Sequence, residues 1–134
     1  MPDYVPPISM SAQQYNKAAQ DLMLEDEWQK FVEDALRHYG WTILLRFRDS
    51  SMHELWQQAK TSPALLNLLK QLGGWPDLFV AHPRSRPFWI ECKTNKGVVR
   101  DNQREKIATI RAAGGTVIVL RPRHRDDIDR LLRV

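Results

Sequence analysis

Residues 116–120 constrain the fold of this chain more than any other segment. Their sequence, TVIVL, is a short β-branched apolar run, which is typical of a strand that is buried on both faces. A helical pattern over residues 101–113 precedes this run, and Gly114-Gly115 ends the helix. A strand covered on both faces needs helices on both sides of its sheet. The sequence therefore predicts an α/β domain.

The remaining segments predict that this sheet is mixed and flanked by helices. Apolar residues, Leu24 among them, recur at helical spacing over residues 21–39, and Gly40 ends this helix. Ser62-Pro63 supplies an N-cap and a first-turn proline for another helix, which Gly73-Gly74 ends. The other predicted elements are, in chain order, a strand at 41–47, a weak helix at 52–60, a strand at 77–81, a turn at 82–87, a strand at 88–93 and a short helix at 126–132.

Length, charge and cysteine content limit the class of protein. A chain of 134 residues has the size of a single domain. Its net charge of +4 and pI of about 9.5 permit a phosphate-rich partner without requiring one. Cys92 is the only cysteine, and neither a signal peptide nor an apolar run of about 20 residues is present. We therefore expect a cytoplasmic protein without a membrane partner, which begins with an extended arm at residues 1–10.

Two strand-like segments carry acidic and basic residues with the chemistry of metal-dependent hydrolysis. Glu91 and Lys93 are two residues apart, so in a strand they face the same side as Trp89, while Cys92 faces the core. Asp77 begins the preceding strand and lies near Glu91 if the two strands form a hairpin. Two carboxylates bind Mg²⁺ or Mn²⁺, and the Cys92 carbonyl can add an oxygen ligand. With Lys93 to stabilise charge on a phosphate, the pattern favours hydrolysis of nucleic acid.

Each of these two segments also has a purely structural explanation. Pro76-Asp77 is a common turn sequence, and Glu91 and Lys93 fit a half-exposed, solvated strand. Either segment taken alone favours the structural explanation. Their combination, between apolar flanks, favours a functional site.

Gln103 is expected to lie near this site. It precedes Ile107 and Ile110 by four and seven positions, which places it on the apolar stripe of the helix predicted at 101–113. A polar residue at that position is directed toward the sheet. The alternative is a glutamine that faces solvent at a frayed helix end.

An acidic residue of the first main helix is a further candidate ligand. Glu25 stands three and seven positions before Trp28 and Val32, at one edge of the apolar stripe. Glu27 stands four positions before Phe31, at the other edge. The spacing leaves both acids open as the one that reaches the metal.

Basic residues near these segments are candidates for contacts with DNA phosphates. A solvated helix or loop surface explains each of them as well when it is taken singly. They are Lys96, Arg100, Arg104, Arg121 and Arg123.

Taken together, the motifs of this chain resemble those of the VRR-NUC nucleases of the PD-(D/E)-x-K superfamily, which include small stand-alone phage and bacterial members. The motifs are Glu25-x-x-x-Gln29, Gly74-Trp75-Pro76-Asp77-Leu78, Ile90-Glu91-Cys92-Lys93, Gln103 and Gly114-Gly115 before an apolar strand. The resemblance implies a restriction-endonuclease-like fold over residues 11–134. Compact members of the superfamily lack a segment like residues 48–73, so we expect a helical insertion at about 49–73.

The resemblance also implies roles for individual residues. Asp77 and Glu91 would be metal ligands, and Lys93 would be the catalytic lysine. Gln103 would support the site, and Glu25 would be the helix acid near the metal. These roles imply a Mg²⁺- or Mn²⁺-dependent endodeoxyribonuclease, either general or selective for flaps or four-way junctions, in a bacterial or phage-infected cell.

Two functions from other classes are compatible with the same sequence. One is a non-catalytic nucleic-acid-binding module that retains the fold, and the other is a protein-interaction domain whose acids are structural. The intact set of Asp77, Glu91 and Lys93 argues against a decayed site. A homodimer is compatible with these features too, because symmetric junctions present two paired sites.

Overall fold

The computed structural model of the chain describes residues 19–47 and 50–134, so the arm predicted at residues 1–10 lies outside the described residues. Residues 19–22 are helical, and the α-helices that follow are α1 (Glu25–His38), α2 (Ser50–Gln58), α3 (Pro63–Leu72), α4 (Asp101–Ala112) and α5 (Ile128–Leu132). The strands are β1 (Thr42–Arg46), β2 (Leu78–His82), β3 (Ser85–Cys92) and β4 (Val117–Leu120), and short 3-10 helices span Ala59–Thr61 and Pro122–Asp127. No helix within these ranges is long and apolar enough to cross a membrane.

The described strands form one mixed sheet in the order β1-β2-β3-β4. β1 and β2 pair antiparallel, as do β2 and β3, whereas β3 and β4 run parallel. α4 provides the crossover that two successive parallel strands require. The predicted α/β fold, with a central mixed sheet and flanking helices, is confirmed.

One face of the sheet packs against α1. Trp28, Val32 and Leu36 of α1 are fully buried and meet Ile90 of β3 in one apolar cluster. Burial of each such side chain contributes roughly 1.5–3 kcal/mol to folding. The indole N–H of Trp28 also donates a hydrogen bond to the Leu120 carbonyl at 2.8 Å. α1 is therefore held across the sheet, with its first turn near the ends of β3 and β4.

The first predicted helix is interrupted at Met23 and Leu24. Met23 is buried in the apolar core, whereas Leu24 is 65% exposed and has an extended backbone at the N-cap of α1. The prediction of one helix over residues 21–39, with Leu24 on its apolar stripe, is therefore wrong. Because the chain turns inward at Met23, α1 begins at Glu25. That acid stands in the first turn of the helix instead of in its interior.

Strands β2 and β3 extend further toward their connecting turn than predicted, so the turn is shorter. His82 pairs with Ser85, so only Pro83 and Arg84 remain of the turn expected at residues 82–87. The His82 ring stabilises this short turn by accepting a hydrogen bond from the Arg84 backbone N–H at 3.0 Å. Pro87 lies within β3, which its missing N–H allows because pairing with β4 starts only at residue 89.

The C-terminal elements differ from the prediction in two details. Val117 and Leu120 of β4 are buried, but the two residues between them are only half-buried. The prediction that the whole strand is buried on both faces is therefore wrong for its two central residues, because β4 lies at the edge of the sheet. The residues that follow form the 3-10 helix Pro122–Asp127, so α5 begins at Ile128 and not at residue 126.

The described part of the segment between β1 and β2, residues 50–77, is largely helical. α2, the 3-10 helix and α3 pack against one another, and Ala59 and Leu69 are buried. The predicted N-cap of α3 is present, because the Ser62 hydroxyl accepts a hydrogen bond from the Leu65 backbone N–H at 3.4 Å.

Gly74 brings the chain before β2 against the start of α4. Its φ is +82°, and a Cβ atom at this position would lie 2.6 Å from the Asn102 carbonyl oxygen. Only glycine satisfies both conditions. This close approach places Asp77, three residues later, beside the first turn of α4, which carries Gln103.

We expect Gly74→Ala to destabilise the protein by about 2–5 kcal/mol, because left-handed φ strain and overpacking against backbone add. Gly114→Ala is the matched control, since Gly114 has a φ of +88° but no described atom within 4 Å of its Cβ position. That variant should lose only the strain, about 1–2 kcal/mol. Urea unfolding of both variants measures the difference, and equal losses would contradict the close packing at Gly74.

Candidate metal centre

β3 carries Glu91 and Lys93 into a buried site. The side chains of Glu91 and Lys93 are 0% and 5% exposed. Cys92 points into the apolar core, and Trp89 is half-buried on the face opposite to it, as strand alternation predicts. The alternative of two solvated residues on a half-exposed strand is therefore wrong.

The Asp77 carboxylate is joined directly to β3. Its Oδ2 accepts a hydrogen bond from the Cys92 backbone N–H at 2.9 Å. This bond takes the N–H that would continue the ladder, so strand pairing ends at Leu78 and Ile90. β2 consequently begins one residue later than predicted. Asp77 therefore joins two strand ends, which a local turn residue would not do.

Glu25 forms a group of three carboxylates with Asp77 and Glu91. One carboxylate oxygen of each residue lies within 4.8 Å of the corresponding oxygens of the other two. Glu27 lies outside this group and lines a separate cavity of about 390 Å³, together with Arg125. The fold therefore brings Glu25, and not Glu27, to the acids of the sheet.

The charge of this group is not balanced by its lysine. The Lys93 ammonium lies 3.8 Å from a Glu91 carboxylate oxygen and 4.0 Å from one of Glu25. Three carboxylates and one ammonium leave a formal charge of −2. Two negative charges 4.8 Å apart repel by about 3.5 kcal/mol at an effective dielectric constant of roughly 20. A divalent cation would cancel this charge, and an all-oxygen donor set fits Mg²⁺ or Mn²⁺.

Gln103 faces the sheet from the first turn of α4. Its Nε2 donates to Glu91 Oε1 at 3.4 Å, and its Oε1 accepts from the Arg100 backbone N–H at 3.0 Å. The side chain therefore caps α4 and holds Glu91 at the same time. The solvent-facing alternative does not apply, because Gln103 is buried.

Exposed basic residues lie around this end of the sheet. β3 and β4 run parallel, so the chain leaves both strands at the same edge. The residues stand in the loop after β3, at the start of α4 and in the segment after β4. Those with exposed side chains are Lys96, Arg100, Arg104 and Arg123.

Arg121 differs from the other predicted DNA contacts, because it is engaged within the protein. Its guanidinium donates to the Thr94 and Gly97 carbonyls at 2.6 and 2.5 Å. The His124 ring in turn accepts a hydrogen bond from the Arg121 backbone N–H at 2.9 Å. Arg121 therefore braces the loop after β3 and does not extend into solvent.

A second apolar group covers the sheet beside the carboxylates. Ring centroids are 4.5 Å apart for Phe79 and Trp89 and 5.3 Å apart for Trp75 and Trp89. Phe47 stacks on both tryptophans, and the Lys106 ammonium lies 4.7 Å from the centroid of Trp75. All four rings are half-buried. The group contains two of the five tryptophans of the chain.

Gln29 is a buried residue near the site to which sequence analysis gave no role. It is 4% exposed, and its Oε1 has no hydrogen-bond partner among the described residues. The signal for it was its position one helical turn after Glu25. Most buried acceptors in folded proteins have a donor, so this atom is an exception.

The mixed sheet, its flanking helices and the parallel β3-α4-β4 unit have the architecture of a small single-domain nuclease. The VRR-NUC domain model matches residues 49–124, more than half of the chain, so the chain belongs to the VRR-NUC family. Membership confirms the resemblance to the VRR-NUC nucleases and indicates nuclease activity with DNA as substrate. The match includes Asp77, Glu91, Lys93 and Gln103, whereas Glu25 precedes it. Searches of curated proteins and of solved structures found no match.

Replacement of Glu25 by glutamine tests whether α1 supplies a metal ligand. We expect Mn²⁺ at a hundred times its Kd to stabilise the wild-type protein by about 2.7 kcal/mol. Glu25→Gln should lose most of this stabilisation because it removes a charged oxygen donor. Without metal the same variant should be more stable than wild type, because one like charge is gone. Thermal unfolding with and without Mn²⁺ measures both effects.

Glu27→Gln is the matched control for this experiment, because Glu27 lies in the same helical turn but outside the carboxylate group. It should keep the full Mn²⁺-dependent stabilisation. Equal behaviour of the two variants would show that Glu25 has no special place in the site.

Protonation of His124 is expected to weaken the brace behind the site. Partial burial, and then the neighbouring Arg123, lower the pKa of His124 below its usual value. The unfolded chain therefore takes up the proton first as pH falls, so stability is fully present above about pH 6.5 and decreases below it. His124→Asn, which keeps an acceptor, should reduce this pH dependence in thermal unfolding between pH 7 and 5. His38→Asn, at an exposed position, should retain it.

Proposed function

We propose that this protein is a Mg²⁺- or Mn²⁺-dependent DNA endonuclease that hydrolyses phosphodiester bonds. The observation that carries the proposal is the group of three carboxylates within 4.8 Å of one another, with the Lys93 ammonium 3.8 Å from Glu91. Family membership supplies the reaction class, and the net negative charge of the group supplies the reason for a divalent cation. A cation bound there neutralises phosphate charge and lowers the pKa of a water molecule.

We assign the ligand role to Asp77, Glu91 and Glu25, with the Cys92 backbone carbonyl as a further oxygen. These residues come from three separate segments, and their spacing is supported by the Asp77–Cys92 hydrogen bond. Gln103 positions Glu91 through its amide. All the proposed ligand atoms are therefore oxygens. Hydrogen bonds from the Cys92 backbone N–H and the Gln103 amide hold the carboxylates of Asp77 and Glu91 in place.

Lys93 is assigned the role of stabilising negative charge on the phosphate as it is attacked. Its side chain is buried and lies beside two of the carboxylates. A lysine carries a compact charge and three donors, and in a site that excludes water such a charge acts strongly. These proposed roles follow the PD-(D/E)-x-K pattern that the sequence resembles.

The DNA-binding surface is proposed to consist of Lys96, Arg100, Arg104 and Arg123, which are exposed in the segments that follow β3 and β4. These basic side chains attract the phosphate backbone, whereas the three carboxylates repel it until a metal ion offsets their charge. Arg121 contributes by bracing the loop that carries Lys96.

Selectivity for flaps or four-way junctions is proposed to come from the helical insertion formed by α2 and α3. Trp56 and Leu68 expose 39% and 52% of their surface on this insertion, which makes it a candidate surface for a homodimer. Two sites in such a dimer would match the symmetry of a junction. We place this activity in the cytoplasm of a bacterial or phage-infected cell.

Lys93→Met is expected to lower the rate of DNA cleavage by about 10²–10³-fold, because it removes one stabilising charge at a nearly isosteric position. Cleavage of plasmid, flap and four-way-junction DNA is compared in Mg²⁺, Mn²⁺ and EDTA. DNA binding measured in EDTA should change little, since the exposed basic residues remain.

Lys30→Met is the control variant, because Lys30 is exposed on α1 and lines the separate cavity with Glu27, outside the carboxylate group. It should cleave like wild type. Equal activity of Lys93→Met and wild type would refute the assigned role. A wild-type protein that binds DNA in a salt-sensitive manner but cleaves none with either metal would instead be the non-catalytic module.

A further inference from the structure

We infer that Gln29 is a positioning residue of the metal centre: its side-chain carbonyl accepts a hydrogen bond from the hydration shell of the divalent cation. The inference rests on the proposed function, because it needs a cation at the carboxylate group. It starts from one atom, Gln29 Oε1, which is buried and has no hydrogen-bond partner among the described residues.

Gln29 is buried and lies one helical turn after Glu25, a member of the carboxylate group. Glu25, Gln29 and Glu33 follow one another at intervals of four residues and so share one face of the helix. Glu25 belongs to the carboxylate group, and Glu33 forms an ion pair with Arg46 of β1. This face therefore lies over the sheet along its whole length. Side chains of a helix lean toward its N-terminus, so Gln29 leans toward the level of Glu25.

The donors that the site contains are directed at carboxylates. The Lys93 ammonium lies 3.8 Å from Glu91, and Gln103 Nε2 donates to Glu91 as well. A buried acceptor without a donor costs about 1–3 kcal/mol. The Gln29 acceptor removes this cost only when a ligand supplies a hydrogen-bond donor.

A hydrated divalent cation is the ligand that brings such donors. Mg²⁺ retains several water molecules when it binds to carboxylates, and these waters donate hydrogen bonds. Residues that contact the outer side of a metal site commonly change its affinity 10–100-fold when they are replaced. A neutral carbonyl is suited to this position, because it accepts a hydrogen bond without adding a fourth negative charge to the three carboxylates.

The experiment compares Gln29→Met, Gln29→Glu and the control Gln57→Met in the full chain. Gln29→Met keeps the shape of the side chain and removes the acceptor, and Gln29→Glu keeps an acceptor oxygen. Gln57 is exposed on α2, so Gln57→Met introduces the same chemical change at a position outside the carboxylate group. Mn²⁺ affinity is measured by titration calorimetry without DNA, and thermal stability is measured without metal.

We expect Gln29→Met to bind Mn²⁺ about 10-fold more weakly than wild type, while its stability without metal is equal or higher. Gln29→Glu should retain the affinity, and Gln57→Met should be unchanged. Unaltered Mn²⁺ affinity of Gln29→Met would overturn the inference. If this variant also lost stability without metal, the Gln29 amide would instead form a structural hydrogen bond within the chain. A wild-type protein that binds neither Mn²⁺ nor Mg²⁺ would refute the proposed function itself.

Discussion

Three carboxylates held within 4.8 Å of one another are the constraint on which the rest of this structure depends. Groups of like charge separate unless the fold opposes their repulsion. Here each acid comes from a different element: Glu25 from the first turn of α1, Asp77 from the chain before β2 and Glu91 from the end of β3. Each element is anchored elsewhere, by the buried Trp28 for α1 and by the Cys92 N–H for Asp77. Packing of the apolar core thus holds the like charges together, and a cation bound by the three carboxylates would stabilise the folded state.

The parallel arrangement of β3 and β4 decides where the charges of opposite sign lie. Because both strands end at one edge, the buried Glu91 lies there, and exposed basic residues stand in the segments that follow β3 and β4. Arg121 keeps one of these loops in place through the Thr94 and Gly97 carbonyls. Carboxylates at this edge, with exposed basic residues in the adjoining segments, suit a polyanionic substrate, since the basic residues attract phosphate and a bound cation would offset the negative charge of the acids.

Local periodicity was sufficient to predict most of the fold. The alternation of residues 88–93 placed Glu91 and Lys93 on one face, and helical spacing turned Gln103 toward the sheet. Periodicity did not predict the start of α1, because Leu24 fits the helical stripe although its backbone is extended and its side chain is exposed. It also did not distinguish Arg121 from its exposed neighbours, because a brace and a phosphate contact require the same side chain.

The sequence by itself determined the class of chemistry, since the residue types Asp77, Glu91 and Lys93 and their strand periodicity are local properties of the chain. Helical spacing left Glu25 and Glu27 open and the family resemblance favoured Glu25, and the tertiary structure brings Glu25 to the acids of the sheet. Glu25 and Glu27 border the same apolar stripe on opposite sides, so the choice depends on where α1 starts and how it crosses the sheet. Those two features are set by packing of residues that are distant in sequence, such as Trp28 against the end of β4. The same packing buries Gln29, whose position one helical turn after Glu25 was the signal that the sequence offered.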